Sequence, residues 1–158
     1  MAKILIIYYS ETGNTKKMAE LIAEGVKEEK IDVVVKNVED TDAKELLEYD
    51  GIIIGSPTYY GLPAYQIKKL LDDSVAFHGS LEGKVGGAFS SSANVGGGNE
   101  TTIMSIIQAM LIHGMIVKGT SKGDHYGPVS IGKPDLRVEK QCKAYGKMIA
   151  SLVKKLKS

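Results

Sequence analysis

Five short apolar runs, separated by stretches with helical spacing, constrain what this chain can fold into. Each run is four to six residues long and mostly lacks the polar–apolar alternation of a strand with one wet face. Uninterrupted apolar runs of this length are typical of strands covered on both faces, as in a parallel sheet. The predicted strands are residues 4–9, 31–35, 51–55, 85–90 and 115–118.

Helical patterns fill the intervals between these runs. After the first run, apolar residues recur at spacings of three and four, from Met18 through Leu21 and Ile22 to Val26. Further helices are predicted over 43–49, from Pro63, over 100–111 and from about Pro134. The last of these is predicted to bury Val138, Cys142, Tyr145, Ile149, Leu152 and Leu156.

Alternating strands and helices predict an α/β fold. Right-handed crossovers leave few topologies, and the common one at this size is a doubly wound, five-stranded parallel sheet in the order 2-1-3-4-5. Helices on both faces make it a three-layer sandwich. We expect a single domain over residues 1–158.

Composition excludes several classes of function. The chain has 20 Lys and Arg against 19 Asp and Glu, a net charge of +1 that gives no electrostatic case for binding nucleic acid. No segment reaches the ~18 consecutive apolar residues of a membrane span. The single Cys142 excludes an internal disulfide and a CxxC metal motif, and His78 and His125 lack metal-ligand spacing. A cytoplasmic protein without a metal is the simplest interpretation.

A hydroxyl-rich loop follows the first predicted strand and precedes a helix. Ser10, Thr12 and Thr15 supply hydroxyl donors, and Gly13 lets the backbone approach a ligand closely. The N-terminus of a helix binds anions without a cationic side chain, through its free N–H groups and dipole. An ordinary helix cap is the alternative, but a cap needs one hydroxyl and this loop has three. The loop therefore predicts a site for a phosphate monoester.

Two further loops follow the third and fourth predicted strands. In the predicted order the winding reverses above strands one and three, and ligands bind in that crevice. Adjacent Tyr59 and Tyr60, between Pro57 and Gly61, make a stiff aromatic loop, whereas Ser90–Asn99 offers free backbone N–H groups. A surface turn and a disordered loop are the alternatives. Together the three loops predict a ligand with a phosphate and a planar heterocycle.

Other phosphate motifs fail on inspection. Residues 79–85 imitate a P-loop but are one residue short and lack a Ser or Thr after Lys84. No G-x-G-x-x-G dinucleotide fingerprint is present. A phospho-receiver domain needs an acidic pair after strand one and an aspartate after strand three, where this chain has Tyr9-Ser10 and Ser56-Pro57.

The three loops resemble those of flavodoxins, and more narrowly of the WrbA-type FMN-dependent NAD(P)H:quinone oxidoreductases. The likeness includes the segments Gly55–Gly61 and Phe89–Thr102 and two further pieces, His113-Gly114-Met115 and Tyr126-Gly127-Pro128. It implies a flavodoxin-like fold and non-covalent FMN. The phosphate would be held by Ser10, Glu11, Thr12, Gly13, Asn14 and Thr15. The ring would be flanked by Pro57, Thr58, Tyr59, Tyr60 and Gly61 and edged by Ser91, Ser92, Ala93, Asn94, Val95, Gly96 and Gly97.

The resemblance also gives His113 a role. It implies that this imidazole contacts the pyrimidine side of the ring, where a donor would favour two-electron chemistry and make His113 a catalytic residue. The alternative is a histidine that merely ends an apolar helix before Gly114.

Some features depart from the WrbA-type pattern. The chain is shorter, lacks the long insertion after strand two, and is abbreviated between Lys118 and Tyr126. It has no tryptophan where that family places one at the pocket; only Val75, Ala76, Phe77 and His78 lie nearby in sequence.

Two functions remain open at this point. Flavodoxins that act as carriers are strongly acidic, whereas this chain is nearly neutral, which favours a two-electron oxidoreductase acting on NAD(P)H and a quinone or another small electron acceptor. The alternative is an electron-transfer module that serves a larger redox partner protein. A homo-oligomer is possible in either case.

Overall fold

A seven-stranded sheet with two helices on each face is the framework of the protein, for which a computed structural model describes residues 1–158. The strands are β1 (Lys3–Tyr8), β2 (Asp32–Asn37), β3 (Gly51–Tyr59), β4 (Leu62–Pro63), β5 (Val85–Ser92), β6 (Ile116–Val117) and β7 (Val129–Ile131). The helices are α1 (Asn14–Glu28), α2 (Tyr65–Asp73), α3 (Asn99–Ile112) and α4 (Leu136–Lys157). Short 3₁₀ turns cover Val38–Asp40, Ala43–Glu48 and Ser74–Phe77.

The sheet has the predicted order. Strands β2, β1, β3 and β5 lie side by side, all parallel, and β6 and β7 share the position beyond β5. The predicted order 2-1-3-4-5 is therefore confirmed, with β5 as the fourth strand in sheet position. No helix is long and apolar enough to cross a membrane.

Strand β1 shows why its sequence is apolar at every position. Ile4 and Ile6 belong to a core with α1 and α4, whereas Leu5 and Ile7 belong to a second core with α2 and α3. Successive side chains of a strand point to opposite faces, so a strand between two helical layers must be apolar throughout. The three-layer sandwich is confirmed.

The fifth strand differs from the prediction of one run over 115–118. Ile116–Val117 pairs with Val85–Gly86, and a separate piece, Val129–Ile131, pairs with Ser90–Ser92. The residues between leave the sheet and return, and the Asp124 carboxylate receives the Val129 N–H at 2.9 Å. Sequence reasoning missed β7 because three residues among glycines and prolines are too short to show a strand pattern.

Other element bounds also move. β3 continues to Tyr59, and Leu62–Pro63 pairs back on it antiparallel, so α2 begins at Tyr65 and not at Pro63. Leu156, predicted to be buried, is 50% exposed. The reason is that α4 extends beyond the end of α1, the helix beside it. Lys154 already pairs at 3.2 Å with Glu29, the residue that follows α1.

Candidate functional site

The ends of β1, β3 and β5 bring the three predicted loops together. Ser56 and Pro57 pair with Ser90 and Ser91, so these two strands leave the sheet at the same level. On the other side the backbone N–H of Tyr9 donates to the carbonyl of Gly55 at 3.2 Å, which sets the loop after β1 beside them. The crevice expected at the reversal of winding is formed by these loops.

The loop after β1 ends in a helix with a free N-terminus. Gly13 precedes α1 with a φ of 93°, a left-handed conformation that favours glycine, and no side chain caps the helix. The first N–H groups of a helix have no partner within it, so those of Asn14, Thr15 and Lys16 can bind an anion. Ser10 Oγ accepts from the Gly13 N–H at 3.0 Å, which leaves its own proton free to donate. The simple-cap interpretation is therefore excluded.

The three hydroxyls of this loop do not play equivalent parts. Thr12 is exposed at the crevice, whereas Thr15 is only 1% exposed. The Thr15 hydroxyl lies 3.0 Å from Ser91 Oγ, so it joins the start of α1 to the end of β5. Thr15 thus supports the floor of the crevice, and whichever of the two hydroxyls accepts in this bond keeps its own proton to donate.

A tight hairpin displays the two tyrosines. Thr58 and Tyr59 pair with Pro63 and Leu62, and the turn residues Tyr60 and Gly61 have φ values of 51° and 76°. Two positive φ angles in a two-residue hairpin are characteristic of the type I′ turn. Tyr60 is fully exposed at the tip, in a backbone conformation that a non-glycine residue rarely adopts.

Serine hydroxyls fasten this hairpin to the sheet. Ser90 Oγ lies 2.9 Å from Thr58 Oγ1 and donates to the Ser56 carbonyl at 2.7 Å. Ser56 Oγ accepts from the Ala64 N–H at 2.8 Å. Sequence reasoning missed Ser56 and Ser90 as site residues, although buried polar side chains at the ends of apolar strands were the signal that could have found them.

Glu11 is the one charged side chain of the three loops, and two tyrosines, Tyr9 and Tyr59, lie beside it. The Tyr9 hydroxyl donates to Glu11 Oε1 at 3.3 Å. Burial and then the Glu11 carboxylate raise the pKa of Tyr9 and of Tyr59 above the ordinary value. Both phenols therefore stay protonated and neutral at physiological pH.

The loop after β5 presents backbone donors. Ser91 and Ser92 are buried, and the five residues after them, from Ala93 to Gly97, are exposed. Ser92 Oγ donates to the Asn94 carbonyl at 3.0 Å and accepts from Asn99 Nδ2 at 2.9 Å, which orders the loop. The N–H groups of Asn94, Val95 and Gly96 have no partner within the chain. They can donate to the polar edge of a planar ring.

His113 lies away from these loops. The crevice is at the start of α3, whereas His113 follows its last residue, 14 residues or about 20 Å further along the helix. Three residues later, Ile116 pairs with Val85 at the opposite edge of the sheet. Within one subunit this geometry does not favour the predicted contact between His113 and the ring, because α3 carries this residue to the other end of the sheet.

His113 makes its contacts with residues at the C-terminal ends of α2 and α3. Ser74 Oγ donates to the Leu71 carbonyl at 2.6 Å and so accepts from His113 Nε2 at 2.7 Å. Burial, and then His78 at 5.9 Å between ring centroids, lower the pKa of His113, so the ring is neutral. His113 and His78 line a groove of about 740 Å³ between α2 and α3. This matches the alternative interpretation of a histidine at a helix end.

Comparison with known proteins gives the same class as the fold and the loops. The flavodoxin family profile matches residues 6–102. A flavodoxin of Aquifex aeolicus is 41% identical over 97% of this chain and 88% of its own length. An NAD(P)H dehydrogenase (quinone) of Archaeoglobus fulgidus is 35% identical over 99% of this chain and 100% of its own. The crystal structure of a WrbA-like flavodoxin from Agrobacterium tumefaciens superposes with a TM-score of 0.83 at 26% identity, covering 98% of this chain and 99% of that one.

The chain belongs to the flavodoxin family, and its cofactor is FMN. The residues at the crevice fit this group: the uncapped helix and free hydroxyls suit a phosphate dianion, and the unpaired N–H groups after β5 suit a ring edge. The names of its relatives divide between flavodoxin and NAD(P)H dehydrogenase (quinone), so the family alone does not choose between carrier and enzyme.

The two threonines of the first loop should respond differently to substitution. We expect Thr12→Ala to weaken FMN binding by about 1–2 kcal/mol, since it removes a hydroxyl bond to a charged acceptor, and to leave riboflavin binding unchanged. Thr15→Val should instead lower the free energy of unfolding of the flavin-free protein by about 1 kcal/mol, because Ser91 loses its partner. Calorimetric titration with both flavins and urea unfolding measure these effects. An unchanged unfolding free energy for Thr15→Val would contradict the structural role of Thr15.

His113→Gln should leave FMN affinity and the two-electron midpoint potential unchanged. The folded-state pKa of His113 is lowered, so the unfolded chain binds the proton more readily and stability is lost as pH falls below about 6.5. The variant should therefore lose less stability than the parent between pH 7 and 5 in urea unfolding. A shift in the two-electron midpoint potential of the variant would instead indicate that His113 contacts the flavin.

Proposed function

We propose that the FMN phosphate binds at the N-terminus of α1, among Ser10, Thr12 and the N–H groups that follow Gly13. The isoalloxazine then lies between the hairpin over 57–61 and the loop over 91–97. Support comes from the free helix end on one side and the unpaired N–H groups of Asn94, Val95 and Gly96 on the other. The whole chain, residues 1–158, would form one flavodoxin-like domain.

We further propose that the protein is a two-electron oxidoreductase of the NAD(P)H:quinone type. The observation that carries this proposal is the absence of charge on both ring loops: residues 56–67 and 85–99 contain no Asp, Glu, Lys or Arg. FMN, when bound, supplies hydride transfer and takes on negative charge at its polar edge when reduced. Carboxylates there would oppose that charge, whereas neutral N–H donors stabilise it.

The hairpin supplies access for a planar substrate. Tyr60 is fully exposed at its tip and Tyr59 is 39% exposed beside it, so the aromatic wall of the crevice is open to solvent. A nicotinamide or a quinone ring can stack against such a wall. The raised pKa values of Tyr9 and Tyr59 keep this wall uncharged.

An electron carrier is the second candidate, and a specific observation favours it. Tyr60, Leu62 and Val95 expose large apolar side chains on the loops around the crevice, a rim that a larger redox protein could cover. The flavodoxin of Clostridium saccharobutylicum, 38% identical, matches 98% of this chain and 99% of its own length.

Reduction by nicotinamide cofactors separates the two candidates. We expect anaerobic NADH or NADPH to bleach the yellow FMN-loaded protein without a partner enzyme, and a water-soluble benzoquinone to restore the colour, because an oxidoreductase takes hydride directly. Stopped-flow absorbance at the flavin band measures both steps. A protein that neither coenzyme bleaches, but that a flavodoxin reductase reduces, would be a carrier.

Introducing charge on the loop after β5 tests the electrostatic argument. Val95→Glu should lower the two-electron midpoint potential by roughly 20–40 mV, since a carboxylate beside the ring would oppose the charge of its reduced form by roughly 1–2 kcal/mol. Val95→Gln is the matched neutral control and should keep the potential of the parent. The shift should shrink as salt is raised, because Val95 is 87% exposed. Equal potentials in the two variants would show that this loop does not border the ring.

A further inference from the structure

The turn that displays Tyr60 is held by a side chain of α3. Thr101 Oγ1 donates to the Gly61 carbonyl at 2.7 Å and, in a shared bond, to the Gly98 carbonyl at 2.8 Å. No other donor reaches the Gly61 carbonyl from a turn, loop or side chain. One hydroxyl therefore fixes the orientation of the turn relative to the helix.

Close backbone packing reinforces this contact. Gly98 precedes α3 with a φ of 100°, and a Cβ added there would lie 2.6 Å from the Cα of Gly61. Only a glycine at position 98 allows the backbones of the hairpin turn and of the start of α3 to lie this close together. The Thr101 hydroxyl lies within this contact, 3.3 Å from the position of such a Cβ.

The turn needs external support because its backbone is strained. A non-glycine residue at positive φ, as at Tyr60, is in an unfavourable backbone conformation that persists only where its neighbours stabilise it. Rotation of the peptide between Gly61 and Leu62 would turn the Gly61 carbonyl away from α3. Such a rotation breaks the hydrogen bond from Thr101.

The same segment of α3 also orders the other ring loop. Asn99 donates to Ser92, which donates in turn to Asn94. Residues 98–101 thus connect the hairpin over 57–61 with the loop over 91–97. The two walls of the proposed ring site have a common support at the N-terminus of α3.

We propose that Thr101 is a positioning residue for the flavin: its hydroxyl holds the Tyr60-Gly61 turn in the conformation that receives the isoalloxazine. This inference rests on the proposed position of the ring. It means that the ordering of the turn is completed before FMN binds, so binding does not bear that entropic cost.

A set of isosteric variants tests the role of the hydroxyl. We expect Thr101→Val to weaken FMN and riboflavin binding by the same factor, about fivefold, because the ring contacts are common to both ligands and the phosphate loop is untouched. Thr101→Ser keeps the hydroxyl and should restore parent affinity. Thr102→Val is the matched control, since the hydroxyl of the neighbouring Thr102 is buried and makes no hydrogen bond to the turn or to any other group.

A second measurement uses the flavin-free protein. Thr101→Val should speed amide hydrogen exchange at Tyr59 and Leu62, which pair in the hairpin, while Thr102→Val leaves it unchanged. A variant that merely loosened the whole fold would speed exchange in β1 as well.

Tyr60→Ala distinguishes the possible failures. If Tyr60→Ala weakens both flavins while Thr101→Val binds them as the parent does, the ring site stands and the positioning role of Thr101 is wrong. If neither substitution changes flavin affinity, the ring does not lie against this hairpin and the proposed site is wrong. Loss of FMN affinity alone in Thr101→Val, with riboflavin unaffected, also overturns the inference.

Discussion

The pairing of β3 with β5 is the constraint on which the rest of the site depends. Their ladder does not stop with the apolar core but continues to Ser56–Ser90 and Pro57–Ser91. A buried ladder that extends beyond the helices needs polar side chains with partners, and Ser56, Ser90 and Thr58 supply them. Both ring loops therefore begin at a rigid, common level, and the hairpin and the start of α3 can meet at Gly61 and Gly98.

The three loops at the crevice contain no cationic side chain. The proposed phosphate site would rely on helix N–H groups and hydroxyls, and the loops proposed to hold the ring have no charged residue. Lysines pair elsewhere: Lys143 and Lys154 contact glutamates along the seam between α1 and α4. At the proposed site, a cofactor whose charge changes on reduction would meet dipoles whose direction is fixed by the fold.

The two helix ends of α3 illustrate how one element serves two purposes. Its N-terminus meets the crevice through Gly98, Asn99 and Thr101, and its C-terminus closes the opposite edge of the sheet through His113. A resemblance in a short motif assigned His113 to the flavin. The length of α3 and the strand that follows it place His113 far from the crevice. A sequence motif identifies residues that are neighbours along the chain, but the length of the helix decides at which end of the sheet those residues lie.

Sequence by itself determined the layers, the strand order and the position of the crevice. An uninterrupted apolar run such as residues 4–9 indicates burial on both faces, and the handedness of crossovers leaves one common order. The loops after Tyr9, Gly55 and Ser90 were therefore expected to meet. Tertiary structure alone decided the rest. It divided the last strand into β6 and β7. It also brought Thr15 to Ser91, which is 76 positions away in sequence, and Thr101 to Gly61, which is 40 positions away. Hydrogen bonds between residues so distant along the chain depend on the packing of whole elements, which no local pattern of residues records.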